Sequence, residues 1–217
     1  KWDAKNYHGK MVNWDKMMPH DQMSCTKSVT SALIAIAIDK GFIKSVKQSI
    51  FDYLPDHQHL KVDNREYITI EHLVTMTSGL AWDEWSASHG TAANDIDALW
   101  FTCKETISCV LNRPWWAEPG KLFTYNGGGI AILGEIIKNA SGMTIDEFST
   151  THLFEPLGIQ NTRWTQFSGG VWDGSGAFYI TPRAMVKFGV LYLNDGICND
   201  EQLIPKNWVE KSATPFN

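Results

Sequence analysis

Apolar residues recur at helical spacing in several stretches of the chain, and most stretches are bounded by a recognisable start or stop. Residues 24–40 carry Val29, Leu33, Ile34, Ile36 and Ile38 among alanines and serines. That pattern predicts a helix buried around most of its circumference, with Ser24 at its start and Gly41 as its stop. Residues 49–54 form a short apolar piece ended by Pro55. In Tyr67-Ile68-Thr69-Ile70-Glu71-His72-Leu73-Val74-Thr75-Met76, Thr69 can cap a helix that ends at Gly79. Residues 81–97 are rich in Trp, Ser, Ala and Asp without a period, which predicts an irregular segment lying on the surface. Further helices are predicted over 99–111, stopped by Asn112-Arg113-Pro114, over 130–139, and over 144–154, where Thr144-x-x-Glu147 matches a capping box. Residues 121–125 read as a short strand. From Gly169 onward short apolar and aromatic pieces predict a return to sheet, with helices near 182–194 and 205–212. Residues 1–22 read as loop or edge strand. A helix-rich middle between sheet-forming flanks predicts an α/β (α+β) class. It also predicts one domain over 1–217, with a mostly helical lobe at about 55–165 inserted in the α/β body.

Composition narrows the function classes. The 217 residues are 43% apolar and 20% charged, which excludes a disordered or collagen-like chain and permits a sizeable core. The longest apolar run, residues 32–38, is far short of the ~20 residues of a membrane-spanning helix. Nineteen basic against 24 acidic residues give a net charge of -5 without a basic cluster, which argues against a nucleic-acid partner. His57-Gln58-His59 is the only close histidine pair, and no H-E-x-x-H occurs, which argues against a metal enzyme. No cofactor is predicted either. Cys25, Cys103, Cys109 and Cys198 show no C-x-x-C, and Cys103 and Cys109 share one predicted helical stretch, so free thiols are predicted. The chain starts at Lys1 without a signal-peptide pattern, so a leader was removed or the sequence begins within a longer protein.

The sharpest chemical feature is Ser24-Cys25-Thr26-Lys27 at the head of the first helix. Residues three apart lie on one helical face, so the amine can reach the hydroxyl. A serine hydroxyl needs an adjacent base to become a nucleophile. Taken alone, the tetrapeptide reads as an ordinary N-cap with a solvated lysine. Against that, so apolar a helix is a core helix, and a core helix needs a reason to begin with Lys. The second feature is Phe123-Thr124-Tyr125-Asn126-Gly127-Gly128-Gly129. Tyr125 there can act as general base or acid beside a lysine, or simply pack. The glycines do not match a phosphate-loop pattern. Ser175 lies between Gly174 and Gly176 but has Asp173 two positions before it, so the G-x-S-x-G elbow is missing. Trp82, Trp85, Trp115 and Trp116 could line an apolar cleft or serve packing.

Together these residues resemble the serine β-lactamase and penicillin-binding-protein superfamily, in its class C-like branch with family VIII esterases, D-amino peptidases and 6-aminohexanoate-dimer hydrolases. Ser24-Cys25-Thr26-Lys27-Ser28-Val29-Thr30-Ser31 looks like the family's nucleophile helix, and His72-Leu73-Val74-Thr75-Met76-Thr77-Ser78-Gly79-Leu80 like its "LLTHTSGL" segment. Glu118-Pro119-Gly120, Phe123-x-Tyr125, Phe154-x-Pro156-Leu157-Gly158 and Thr181-Pro182-Arg183-Ala184-Met185 continue in family order. The resemblance implies a β-lactamase/transpeptidase-like fold, an antiparallel sheet flanked by helices plus a mostly helical lobe. It implies Ser24, Lys27 and Tyr125 as catalytic residues, and Asn126, Gly127, Trp82 and Trp116 as substrate-binding ones. The substrate would be a small molecule or peptide, and the location periplasmic or secreted. Two departures stand out. The family's second motif is commonly Y-x-N, and here the third position is Gly127. Its third motif lies beyond Asn217, so C-terminal strands are expected to be missing from this chain, with a further segment completing the fold and half of the oxyanion hole. These departures keep a non-catalytic peptide- or cell-wall-ligand-binding protein as the alternative to a serine hydrolase.

Overall fold

The computed structural model describes residues 15–215. The first element among the described residues is strand β1 (His20–Asp21), then a 3-10 turn, Met23–Cys25, that runs into helix α1 (Thr26–Asp39). Short 3-10 turns lead to α2 (Ile70–Val74), followed by α3 (Asp95–Phe101), α4 (Thr106–Leu111), α5 (Gly127–Ser141) and α6 (Ile145–Ser149). A π-helical turn, Thr150–Phe154, extends α6. Strands β2 (Arg163–Trp164) and β3 (Phe178–Ile180) precede α7 (Pro182–Leu193), and the hairpin β4 (Ile197–Cys198) and β5 (Glu201–Gln202) precedes α8 (Lys206–Ser212).

The small antiparallel sheet has the order β1-β3-β2, with His20 opposite Ile180 and Trp164 opposite Phe178. It ties the start of the chain to residues 163–180. The core is built around two helices, α1 and α5. Both are apolar on nearly every side, as their sequences require of central helices. No helix among the described residues is long and apolar enough to cross a membrane.

Several local expectations change. Helix α5 begins at Gly127, not at residue 130, because Asn126 caps it: its Oδ1 accepts from Gly129 N–H at 2.7 Å. Two of the three glycines, Gly127 and Gly128, are closely packed. A Cβ on Gly128 would come within 2.5 Å of the Trp82 ring. Residues 121–125 form no strand ladder; Thr124 N–H donates to Met76 O instead. Residues 81–97 are irregular as expected, yet Trp82, Glu84 and Asn94 are buried, so this segment is not simply a surface one.

The stretch read as one helix over 99–111 is two, α3 and α4, and the turn between them brings Cys103 and Cys109 together as a disulfide. Free thiols were expected at these positions on the premise of a continuous helix, and the break removes that premise. Cys25 and Cys198 are free. In the chain-entropy account, closing so short a loop contributes about 2 kcal/mol. Reduction is therefore expected to lower the melting midpoint by several degrees, read by thermal melts with and without a phosphine reductant. Equal midpoints would show that the bond adds nothing.

Thr69 does cap α2: its Oγ1 accepts from His72 N–H, while His72 Nδ1 accepts from Thr69 N–H at 3.2 Å. The helix ends at Val74, well before Gly79. Only unprotonated Nδ1 can accept, and burial, helped by the Lys47 charge and against the pull of the Glu71 carboxylate, lowers the His72 imidazole below its ordinary value of 6.5. The unfolded chain then takes up this proton first as pH falls. The contribution is complete above that ordinary value and is lost as pH falls through the lower folded one. Burial lowers His152 as well. Stability is thus expected to decline on acidification below pH 6.5, and His72→Gln to make the decline shallower in urea titrations across that range.

Candidate active site

The backbone ahead of α1 is bent to present Ser24. Met23 has φ 47°, a left-handed conformation costly for a residue with a Cβ, and Asp21 Oδ1 holds it by accepting from Met23 N–H at 2.8 Å. Burial pushes the Asp21 carboxyl up, against the pull of that N–H. The N-cap positions of the 3-10 turn and of α1 are Gln22 and Cys25, and neither makes a side-chain cap. Ser24 is therefore no ordinary cap.

Its hydroxyl has other partners. Tyr125 Oη lies 2.5 Å from Ser24 Oγ, and Lys27 Nζ donates to the same oxygen at 3.3 Å. Lys27 Nζ also sits 4.9 Å from the Tyr125 ring centroid and donates to Ser175 O at 2.6 Å. One helical turn supplies the serine and lysine; the tyrosine arrives from the segment that feeds α5, a hundred residues later. Ser24 is exposed while Lys27 and Tyr125 are half-buried, so a substrate can reach the hydroxyl and the proton-handling groups lie behind it. A hydroxyl in reach of both an amine and a phenol is an arrangement for nucleophilic attack with proton transfer.

The other residues expected to touch substrate fall elsewhere. Asn126 is 2% exposed and its carboxamide oxygen is used by the α5 cap. Trp82 is equally buried, its Nε1 donating to Glu84 Oε1 at 2.7 Å. Gly127 N–H donates to the same Glu84 oxygen at 2.7 Å. A Cβ at Gly127 would meet Glu84 Oε1 at 2.8 Å, Ile96 Cδ1 at 2.9 Å and Ser175 Oγ at 3.3 Å. The departure from Y-x-N thus has a physical cause: Glu84 fills the space that a larger residue would need. Trp116 is 57% exposed. Trp85, 73% exposed, is the tryptophan at the site, its ring 5.4 Å from that of Tyr125.

Sequence reasoning missed Glu84 altogether, because an aperiodic stretch gives no sign that one of its acids turns inward. It missed the Ser175 carbonyl because backbone atoms carry no sequence signature. Among the described residues no group of three or more His, Cys, Asp or Glu side chains could hold a metal ion.

Comparisons with known proteins place the chain among relatives of one kind. AmpH of Escherichia coli strain K12, a D-alanyl-D-alanine-carboxypeptidase/endopeptidase, is 26% identical over 142 residues, 65% of this chain and 36% of that protein. Penicillin-binding protein 4* of Bacillus subtilis strain 168 is 26% identical over 197 residues, 82% of this chain and 40% of that protein. The chain thus spans well under half the length of these relatives. Two solved structures share its fold. The octameric penicillin-binding protein homologue from Pyrococcus abyssi has a TM-score of 0.71 at 21% identity, over 94% of this chain and 50% of that one. The penicillin binding protein from Bacillus halodurans has 0.70 at 19%, over 97% and 69%. The fold is β-lactamase/transpeptidase-like, with mixed helices and small antiparallel sheets. The family described as Beta-lactamase matches residues 6–217, and the chain belongs to it.

Proposed function

We propose that the chain carries the nucleophile and proton-transfer groups of a serine hydrolase that cleaves amide or ester bonds through an acyl-enzyme on Ser24. The observation that supports it most is the shared hydroxyl, with Tyr125 Oη at 2.5 Å and Lys27 Nζ at 3.3 Å from Ser24 Oγ. Ser24 Oγ attacks the carbonyl carbon, and its proton passes to the Lys27–Tyr125 pair. The carbonyl oxygen becomes an oxyanion held by the Ser24 N–H. Collapse of this intermediate expels the amine or alcohol, which takes the proton from the same pair. Water, deprotonated by that pair, then attacks the acyl carbon; the acid leaves and Ser24 Oγ regains its proton.

The substrate class is a small acyl compound or peptide, in keeping with the carboxypeptidase/endopeptidase activity named for AmpH. Its place of action is the periplasm or the cell exterior, which rests on the family resemblance alone. The direct test is intact mass after incubation with p-nitrophenyl acetate. One acetyl group on the wild-type chain and none on Ser24→Ala is the expected result. A folded chain that stays unmodified but binds peptide saturably would instead be a binding protein on this fold.

A further inference from the structure

Lys27 is gripped from behind by a turn, residues 173–177, for which the proposed reaction has so far assigned no part. Three consecutive carbonyls of this turn face α1. Gly174 O accepts from Thr30 Oγ1 at 2.7 Å, Ser175 O from Lys27 Nζ at 2.6 Å, and Gly176 O from Thr26 Oγ1 at 2.5 Å. Peptide carbonyls in sequence do not point the same way in a regular strand, so something must hold this shape. One side chain does so. Asp173 Oδ1 accepts from Ser175 N–H at 2.7 Å, Ser175 Oγ at 2.6 Å and Gly176 N–H at 3.0 Å, while Oδ2 accepts from Ala177 N–H at 3.0 Å.

Asp173 is 2% exposed, and none of the ion pairs among the described residues includes it. A buried carboxylate without a cation is costly unless hydrogen bonds satisfy it, and here four donors converge on it. The fit beside it is tight: a Cβ on Gly176 would lie 3.2 Å from Asp173 Oδ2. A neutral amide could not replace it, because its NH2 group would face either the Ala177 N–H or the three donors on the other side.

We propose that Asp173 is a positioning residue for the hydrolase reaction, fixing the Ser175 carbonyl and through it the Lys27 amine beside Ser24. The inference rests on the proposed role of Lys27. An amine on a four-carbon stem has many rotamers, and the Ser175 carbonyl selects those that keep Nζ near Ser24 Oγ. Asp173 touches neither the nucleophile nor a substrate, so its loss acts on the chemical step by misplacing Lys27, while substrate binding stays nearly intact.

The test compares wild type, Asp173→Asn and Ser175→Ala, each assayed well below its own melting midpoint. Turnover of p-nitrophenyl acetate gives kcat and KM, and the rate of labelling by a fluorophosphonate reports nucleophile activation alone. Asp173→Asn is expected to lower kcat and the labelling rate about 10- to 100-fold, the loss that a displacement of about 1 Å brings, with KM nearly unchanged. Ser175→Ala keeps the carbonyl and removes one of the four bonds, so a smaller fall is expected. A merely structural aspartate would lower the melting midpoint and leave both rates alone. Wild-type rates in folded Asp173→Asn overturn the proposal, and if that variant does not fold, wild-type rates in Ser175→Ala overturn it. Absence of Ser24-dependent labelling in the wild type overturns the hydrolase reading itself, and this inference with it.

Discussion

Ser24→Ala is expected to lower hydrolysis of an activated ester by at least about 10³-fold and to abolish the acyl adduct, while leaving the fold intact. The fold expectation follows from position: Ser24 is exposed, caps neither the 3-10 turn nor α1, and bonds only outward to Tyr125 and Lys27. Its removal creates no cavity. The chemical expectation follows from the same geometry, since among the described residues no other hydroxyl is shared by these two groups. Lys27→Met and Tyr125→Phe are expected to be nearly as damaging singly as together, because groups that pass one proton act as a unit. Steady-state rates with circular dichroism on each variant make the measurement. Undiminished turnover in folded Ser24→Ala would place the activity elsewhere and sink the assignment.

Much of this was legible because it depends on local spacing. Ser24 and Lys27 are one turn apart on a helix whose apolar pattern is unmistakable, so their meeting could be foreseen. Caps were legible for the same reason, as Thr69 and Thr144 show. What escaped depends on tertiary neighbours. Three glycines in a row look like a loop until the Trp82 ring against Gly128, and Glu84 and Ile96 against Gly127, explain why the first two carry no side chain. Cys103 and Cys109 look like neighbours along one helix until the chain breaks between them. Glu84 and Asp173 look like surface acids until several donors are found aimed at each. Some of these partners are backbone groups or lie far along the chain, and the near ones, such as the two cysteines, meet only because the chain bends between them; residue type alone announces none of this.

The departure from Y-x-N gives a prediction that runs against the family pattern. Gly127→Asn, which would restore the common motif, is expected to destabilise the protein by about 1–3 kcal/mol and not to raise activity. The space for its side chain is already taken by Glu84 Oε1, Ile96 and Ser175 Oγ, the first two within 2.9 Å of where the Cβ would stand. Two of these, Glu84 and Ser175, cannot yield cheaply. Glu84 is buried and holds the N–H groups of Trp82 and Gly127, so displacing it leaves buried donors unpaired. Ser175 belongs to the turn that grips Lys27, so pushing it disturbs the site as well. The urea midpoint at unchanged slope measures the stability loss. Pairing Gly127→Asn with Glu84→Ala then separates the causes. If the clash with Glu84 dominates, the double variant loses less than the sum of the single ones, because the smaller side chain opens the space that Asn needs. If Gly127→Asn is as stable as wild type and more active, Glu84 does not occupy the motif's place, and the glycine is an accident of sequence with no structural requirement behind it.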